Sequence, residues 1–405
     1  MKKYVILTPS IGDMGGAQMY VANKVKYLER KGWSVFVFYF RSYTNILIPA
    51  LQQYIQNKII DMQYGCQFIP KFKLRHDLSF ISSKIHYSSD DNVIIESQLV
   101  SLVGWGELLA EYFQGKHVIN YLEEKIDFSA SPLSDFMEFK LKRYEVLNSS
   151  EERLRCGFGV SFKEEYLNYT HIQRFFCSNV IDFSKDQPLE IEKADINILS
   201  IGRLDKPYIP KLLSEVKSFA NKHPESKINF MLVGGSNAGE EEKSIMQSFI
   251  SQENVNLIMF GYLFPVPINI VKSADVGISS SNSILVTADQ GIPTICIDMY
   301  DYDSIGIYGY TTTNKFHESR ADKQSLSEAL ESVVFGNLID VVINNNSSDQ
   351  DGENQFDDDF AYLNNSTGPE EYFNIRDRYS PFALFGFSMK WLLHEIAGYK
   401  QYKRG

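Results

Sequence analysis

The chain has 405 residues, 44% of them hydrophobic and 22% charged, with a formal net charge of −11. At roughly 150 residues per domain this predicts two or three globular domains, and the modest Gly and Pro content excludes a fibrous or low-complexity chain. No apolar run approaches the roughly 18 residues of a membrane-spanning helix, and no basic stripe suits nucleic acid.

The opening MKKYVILTPS has an apolar stretch of only Tyr4 to Leu7. It reads as a first strand, Lys3 to Thr8, of a cytoplasmic protein rather than as a leader. A glycine-rich turn, Gly12 to Gly16, comes next. Val21, Val25 and Leu28 then recur at helical spacing, with Gly32 as the stop. Trp33 to Phe40 is almost continuously apolar, as in a parallel strand covered on both faces. This strand, glycine turn, helix, strand order is a βαβ unit. Downstream, Ile59 to Gln67 and Asn92 to Glu96 read as strands, Leu99 to Phe113 as a helix and Lys116 to Tyr121 as a strand. Asp135 to Asn148 has helical composition, and Phe158 to Ser161 reads as a short strand.

The second half alternates more cleanly. Strands are predicted over Ile196 to Ile201, Ile228 to Val233, Val255 to Phe260, Asp275 to Ile278 and Thr294 to Ile297. Helices are predicted around Leu212, Val216 and Phe219, over Glu241 to Ile250 and over Ser283 to Gln290. Such alternation predicts a doubly wound α/β sheet. Two such halves meet near Asn179 to Ala194. Residues 343–371 hold eight acidic side chains and no Lys or Arg, which predicts a solvated insertion loop. In the final helix Phe385, Met389, Leu392 and Ile396 define a face expected to pack across the domain junction. Cys66, Cys156, Cys177 and Cys296 form no metal or redox pair and read as reduced buried thiols.

Ligands of open α/β sheets bind outside the carboxyl ends of the strands. Gly15 and Gly16 stand at such an end, before a helix whose N–H groups suit an anionic or hydroxyl-rich ligand. A tight turn explains them equally well. Arg203 and Lys206 follow another strand, and a guanidinium fork beside an ammonium suits a pyrophosphate. Ser281, Asn282 and Ser283 offer small polar groups to phosphate or ribose oxygens, or else cap a helix. Glu123 and Glu124 follow the strand HVINY, where a carboxylate could take an acceptor proton; a surface pair is the alternative. His117 lies at the opposite end of that strand and reads as structural. Ser161 and Lys163 follow a later strand at an equivalent edge. Asp298, Asp301 and Asp303 suggest a metal only weakly.

The pieces GGAQ (Gly15 to Gln18), NVID (Asn179 to Asp182), IGRLDK (Ile201 to Lys206), FMLVGG (Phe230 to Gly235), MFGYL (Met259 to Leu263), ADVGISSS (Ala274 to Ser281) and ADQGIPTI (Ala288 to Ile295) occur in an order that resembles GT-B glycosyltransferases of the family-four type. The resemblance implies two Rossmann-like domains facing a cleft. They span residues 1–182 and 183–380, with a last helix, 381–405, crossing back to the first. It implies a nucleotide-diphosphate sugar donor held by Arg203 and Lys206, with Gly261 and Tyr262 beside the base and Gly15 and Gly16 across the cleft. It also implies transfer with retention to a glycan or lipid-linked acceptor, in polysaccharide or glycoconjugate synthesis, with no metal cofactor. Peripheral contact with the inner face of the membrane would suit a lipid-linked acceptor.

Two features depart from the family pattern. The Glu-x7-Glu signature is absent; the place of its second glutamate falls at about Val286, leaving the ribose to Ser281, Ser283 or Thr287. The Arg203 to Lys206 spacing is shorter than usual. A catalytically silent subunit that binds glycan or a partner enzyme is therefore the alternative, and a nucleotide-sugar epimerase is a third reading.

Overall fold

A computed structural model describes residues 1–12, 15–42, 45–122, 127–129, 131–171, 181–236, 240–249, 252–315, 317–318, 323–336, 349–366 and 371–402. The chain divides into two compact units, one of Met1–Asp13, Val21–Arg174 and Gly352–Gly405, the other of Met14–Tyr20 and Phe175–Asp351.

The first unit starts with β1 (Lys2–Thr8), the greater part of α1 (Gly16–Arg30), β2 (Ser34–Tyr39), α2 (Lys71–Ile85), β3 (Asn92–Ser97), α3 (Val100–Phe113), β4 (Lys116–Asn120), α4 (Leu133–Lys142), β5 (Val146–Leu147) and α5 (Glu151–Phe158). Its parallel sheet has the order β2-β1-β3-β4-β5. Tyr4, Val5, Ile6 and Leu7 are all fully buried, which is why β1 reads as an unbroken apolar run.

Two expected strands are absent. The stretch Ile59 to Gln67 forms short 3₁₀ turns, Ile60–Gln63 and Cys66–Phe68. The Asp61 carboxylate there is taken by Trp391 and Lys73, so the segment turns to serve side-chain bonds rather than a ladder. Phe158 to Ser161 is a helix end followed by a 3₁₀ turn. The fifth strand is instead Val146–Leu147, inside the stretch given helical composition, because Tyr144 turns the chain out of α4 at φ +57.

The second unit contains β6 (Ile181–Asp182), β7 (Ile196–Ile201), α6 (Ile209–Lys222), β8 (Ile228–Val233), α7 (Glu240–Phe249), β9 (Val255–Gly261), β10 (Val266–Pro267), α8 (Ile268–Lys272), β11 (Val276–Ser279), α9 (Ile284–Ala288), β12 (Thr294–Ile297), β13 (Ser304–Ile307) and α10 (Leu326–Val334). The sheet order is β13-β12-β11-β7-β8-β9, parallel except for β13 against β12. Leu212, Val216 and Phe219 of α6 share a core with Leu326, Leu330 and Val333 of α10. A reciprocal capping box between Ser325 and Glu328 starts α10, satisfying two N–H groups that helix geometry leaves open.

The chain returns to the first unit through α11 (Asp349–Leu363) and α12 (Pro381–Tyr402). The return to the first unit begins at Gly352, ahead of the expected division at 381, and the acidic stretch is not a solvated loop throughout. Residues 349–363 are helical, and Phe356, Asp359 and Leu363 are buried. Apolar residues at i and i+7 were diluted by carboxylates, and cations from the first unit neutralise two of those. Asp357 pairs with Lys31, and Asp359 with Lys24.

In α12 the packed face is not the one expected. Phe387 meets Phe68 at 4.5 Å and Trp391 bonds Asp61, whereas Phe385, Met389 and Leu392 are exposed; the side chain of Ile396 lies outside the described residues. The thiols Cys66 and Cys296 are buried as expected, but Cys156 is exposed; Cys177 lies outside the described residues. No described helix is long and apolar enough to cross a membrane.

Candidate functional site

In the second unit the chain leaves β7 toward β8 on one side and comes back to β11 on the other. The two strands are neighbours, and the loops beyond their carboxyl ends run apart, which is where a crevice for a ligand opens. Ladder pairing between them covers Val276↔Ile198 and Gly277↔Leu199. Beyond it the buried Ser279 hydroxyl accepts from the Ile201 N–H (3.2 Å) and donates to the Ile201 carbonyl (3.3 Å). A side chain thus replaces the last rung and lets the loops diverge.

The loop after β7 is laced to its neighbours by backbone. Gly202 N–H donates to the Val233 carbonyl (2.9 Å), Leu204 N–H to Gly235 (3.0 Å) and Gly234 N–H to Gly261 (2.8 Å). Glycine is required here: at Gly234 (φ +146) a Cβ would stand 1.8 Å from the Gly202 carbonyl oxygen, and at Gly235 one would press the Tyr262 ring at 2.7 Å. Gly261 and Tyr262 at the end of β9 are therefore tied through Gly234 and Gly235 to the Arg203 turn.

Arg203 has a side chain 37% exposed and is engaged by Asp205 through Nε at 3.2 Å. That geometry leaves the paired terminal nitrogens of the fork for a second anion. Lys206 is half-buried and, among the described residues, forms no ion pair; its carbonyl accepts from Ile209 at the start of α6 (3.0 Å).

Across the switch point, Ser281–Ser283 forms one 3₁₀ turn, with Ser281 at φ +56. Ser281 N–H donates to the Lys315 carbonyl (3.0 Å), and Lys315 Nζ donates to Asn282 Oδ1 (2.9 Å). Asn282 and Ser283 cap nothing: α9 has no side-chain cap bond. Lys315 is a third cation at this edge. Sequence reasoning missed it because it stands in a threonine-rich turn with no strand directly before it.

Thr287 behaves differently from the expectation. It is fully buried, donates to the Ile284 carbonyl (3.2 Å) and accepts from Thr294 (2.8 Å), covering the face of Gly277. Its hydroxyl holds α9 on β12 rather than facing the strand ends. Val286, at the place of the family's second glutamate, is buried in the apolar core.

Asp298, Asp301 and Asp303 are not a metal cluster. Buried Asp298 accepts from His317 (2.9 Å), Lys323 (2.8 Å) and the Glu318 N–H (3.0 Å), Asp301 pairs with Lys323, and Asp303 with Lys211. Desolvation raises the Asp298 pKa, but Lys323 and these N–H donors outweigh it and hold the carboxyl well below its usual range. Among the described residues no group of three His, Cys, Asp or Glu could hold a metal ion.

Gly15 and Gly16 stand at the start of α1, in the stretch Met14–Tyr20 that groups with the second unit. Glu123 and Glu124 lie outside the described residues. Three buried polar side chains converge on the same sheet edge: Thr8 at the end of β1, Gln98 after β3 and Asn120 at the end of β4. Among the described residues, Thr8 Oγ1, Gln98 Oε1 and both amide atoms of Asn120 have no hydrogen-bond partner. Unpaired buried polar atoms are rare enough to require a reason.

His117 is structural, as expected. Its Nδ1 meets Glu107 at 2.9 Å and its Nε2 meets Ser97 Oγ at 3.0 Å, with Lys140 on Glu107 at 3.0 Å. The serine–histidine–carboxylate chain has hydrolase spacing, yet Ser97 is fully buried and donates to the Leu102 carbonyl (3.1 Å). No substrate carbonyl can reach it. Lys163 follows no strand and pairs with Glu138 (2.8 Å), and Ser161 ends a 3₁₀ turn.

No family model matches the sequence, and no curated protein matches it. Solved structures do. A glycosyltransferase from Rickettsia africae superposes with a TM-score of 0.56 at 12% identity, over 95% of this chain and 98% of that one. The apo lipopolysaccharide outer core galactosyltransferase WaaB gives 0.51 at 14%, over 89% and 99%. The chain has the GT-B fold. The UDP-GlcNAc 2-epimerase of Neisseria meningitidis, bound to UDP-GlcNAc, gives 0.51 at 11%, over 89% and 100%. The GT-B fold is thus shared by transferases and an epimerase, and the residues at the strand ends must carry the choice.

Proposed function

We propose that the protein is a glycosyltransferase that takes its sugar from a nucleoside-diphosphate donor. The observation that carries this reading is the pair of cationic loops at the switch point of the second unit: Arg203 and Lys206 after β7, Lys315 on Asn282 after β11. The fork of Arg203 and the two ammonium groups suit a diphosphate, whose negative charge grows as the sugar–oxygen bond breaks. Ser281, Asn282 and Ser283 supply hydroxyl and amide groups for the ribose or phosphate oxygens, and Gly261 and Tyr262 stand nearer the base. Positioning and charge stabilisation would do most of the catalysis.

On the acceptor side, the unsatisfied atoms of Thr8, Gln98 and Asn120 suit the hydroxyls of a glycan or lipid-linked sugar. Glu123 or Glu124 would orient the attacking hydroxyl or take its proton. The family resemblance supports retention at the anomeric carbon and a role in polysaccharide or glycoconjugate synthesis, at the cytoplasmic side of the membrane. One observation favours a silent glycan-binding subunit: the buried Val286 provides no ribose carboxylate.

Titration calorimetry with UDP, GDP and their sugars tests the reading. Heat of binding, with an affinity that falls in Arg203→Ala, supports it, and absence of any nucleotide heat favours the silent subunit. An altered free sugar nucleotide, formed with no acceptor present, favours an epimerase.

A further inference from the structure

The N-terminal half of α12 turns an apolar stripe outward. Phe382 is 89% exposed, Phe385 68%, and Met389 and Leu392 42% each. Their i, i+3, i+7, i+10 spacing puts them along one side of the helix. The opposite side is fixed: Phe387 packs on Phe68 (4.5 Å) and Tyr379 (5.4 Å), and Trp391 Nε1 donates to Asp61 (3.1 Å). The outward stripe is therefore held in place rather than left by a loose helix.

The same bonds bring a second segment to this surface. Asp61 also pairs with Lys73 of α2 (3.0 Å), one residue from Phe72, which is 71% exposed. Arg376, in the 3₁₀ turn Ile375–Arg378, donates to the Cys66 and Ile69 carbonyls at 2.7 Å each, just before α2 begins. Five large apolar side chains thus stand on one part of the first unit. Lys71, Arg75, Arg378 and Lys390 are exposed on the same segments. Across 71–76 and 376–390 the sequence holds six Lys or Arg against the single acid Asp377, in a chain whose net charge is −11.

We infer that this surface docks on an anionic lipid bilayer, with Phe72, Phe382, Phe385, Met389 and Leu392 entering the headgroup boundary. Aromatic and aliphatic side chains bordered by cations are what such an interface binds. A second copy of the chain fits poorly, because a two-fold contact would set the cations of one patch against the same cations of the other. The inference stands apart from the nucleotide site, since no residue is common to both.

Full-length protein is sedimented with vesicles of phosphatidylcholine alone or mixed equally with phosphatidylglycerol. Binding is expected to the mixed vesicles, to weaken with salt, and to fall about tenfold or more in Phe382→Ser/Phe385→Ser. Lys71→Glu/Lys390→Glu should lower it as well. All four side chains are exposed, so thermal melting of both variants should match the parent. Failure of the parent to bind, or equal binding by both variants, overturns the inference. So does a concentration-dependent dimer, seen by analytical ultracentrifugation, that the phenylalanine variant dissolves.

Discussion

Lys24 of α1 and Asp359 of α11 lie 335 residues apart in the chain and 3.4 Å apart in space, both side chains almost wholly buried. Asp359 also meets His171 (2.9 Å) and Gln355 (3.1 Å), while Glu96 stands 3.9 Å from Lys24. This network holds the acidic helix on the first unit. Asp359→Ala takes a carboxylate away from a buried ammonium, and should cost about 3 kcal/mol. Replacing both, Lys24→Met with Asp359→Leu, should recover most of that loss. Urea titrations of the three variants measure it.

Gly234→Ala should be more damaging than Gly261→Ala, although both glycines have positive φ. The first Cβ would overlap a backbone carbonyl at 1.8 Å, while the second has open space for 4 Å. Overpacking that must part the ends of β7 and β8 costs about 3 kcal/mol. Backbone strain alone costs about 1 kcal/mol. Melting temperatures should fall in that order, and nucleotide binding should fail first in Gly234→Ala.

The parts of the fold that could be read from sequence are those whose burial is uniform. Ile196 to Ile201, Ile228 to Val233 and Thr294 to Ile297 have the observed bounds, because a strand covered on both faces is apolar along most of its length. Elements built on side-chain pairing could not be read this way. The helix α11 looked like a solvated loop because its partners, Lys24, Lys31 and His171, are remote in sequence. The outward face of α12 was misassigned because that helix is apolar on several sides, and Asp61 sets its rotation. At the candidate site Arg203 was visible as a cation just after a strand. Lys315, and the unsatisfied Thr8, Gln98 and Asn120, became visible only through contacts.

Acid should unfold the first unit in two stages. Burial, then the charge of Lys140, keeps the His117 pKa below its usual 6.5, with Glu107 opposing. The unfolded chain therefore binds a proton that the folded one refuses, and stability falls as pH drops below about 6.5. For Glu107 burial raises the pKa, but Lys140 and His117 prevail and lower it to about 2. Its contribution, about 3 kcal/mol, is present above the usual 4.5 and lost as pH falls toward 2. Urea midpoints measured against pH should show both declines, and Glu107→Gln should remove the lower one.

Arg203→Ala should weaken nucleoside-diphosphate binding about tenfold or more, the scale of a lost charged hydrogen bond. Arg203→Lys should recover only part, since an ammonium has no planar fork. Lys315→Ala should weaken binding less, because the same substitution also frees the Asn282 amide oxygen. The salt dependence of the dissociation constant should flatten in each alanine variant. Equal affinities across the series would remove these loops from the site.

Asn120→Leu separates function from packing on the acceptor side. The amide is fully buried, and among the described residues none of its hydrogen-bonding atoms has a partner. An apolar side chain of similar size removes that desolvation cost, so the variant should be more stable by about 1–2 kcal/mol. A polar group kept at such a cost is explained if an acceptor hydroxyl bonds it, and transfer should then fall while donor binding stays unchanged. Denaturant midpoints, donor calorimetry and sugar transfer measured on one preparation read all three. A gain in stability with transfer intact would make the Asn120 amide a packing fault and take it out of the acceptor site.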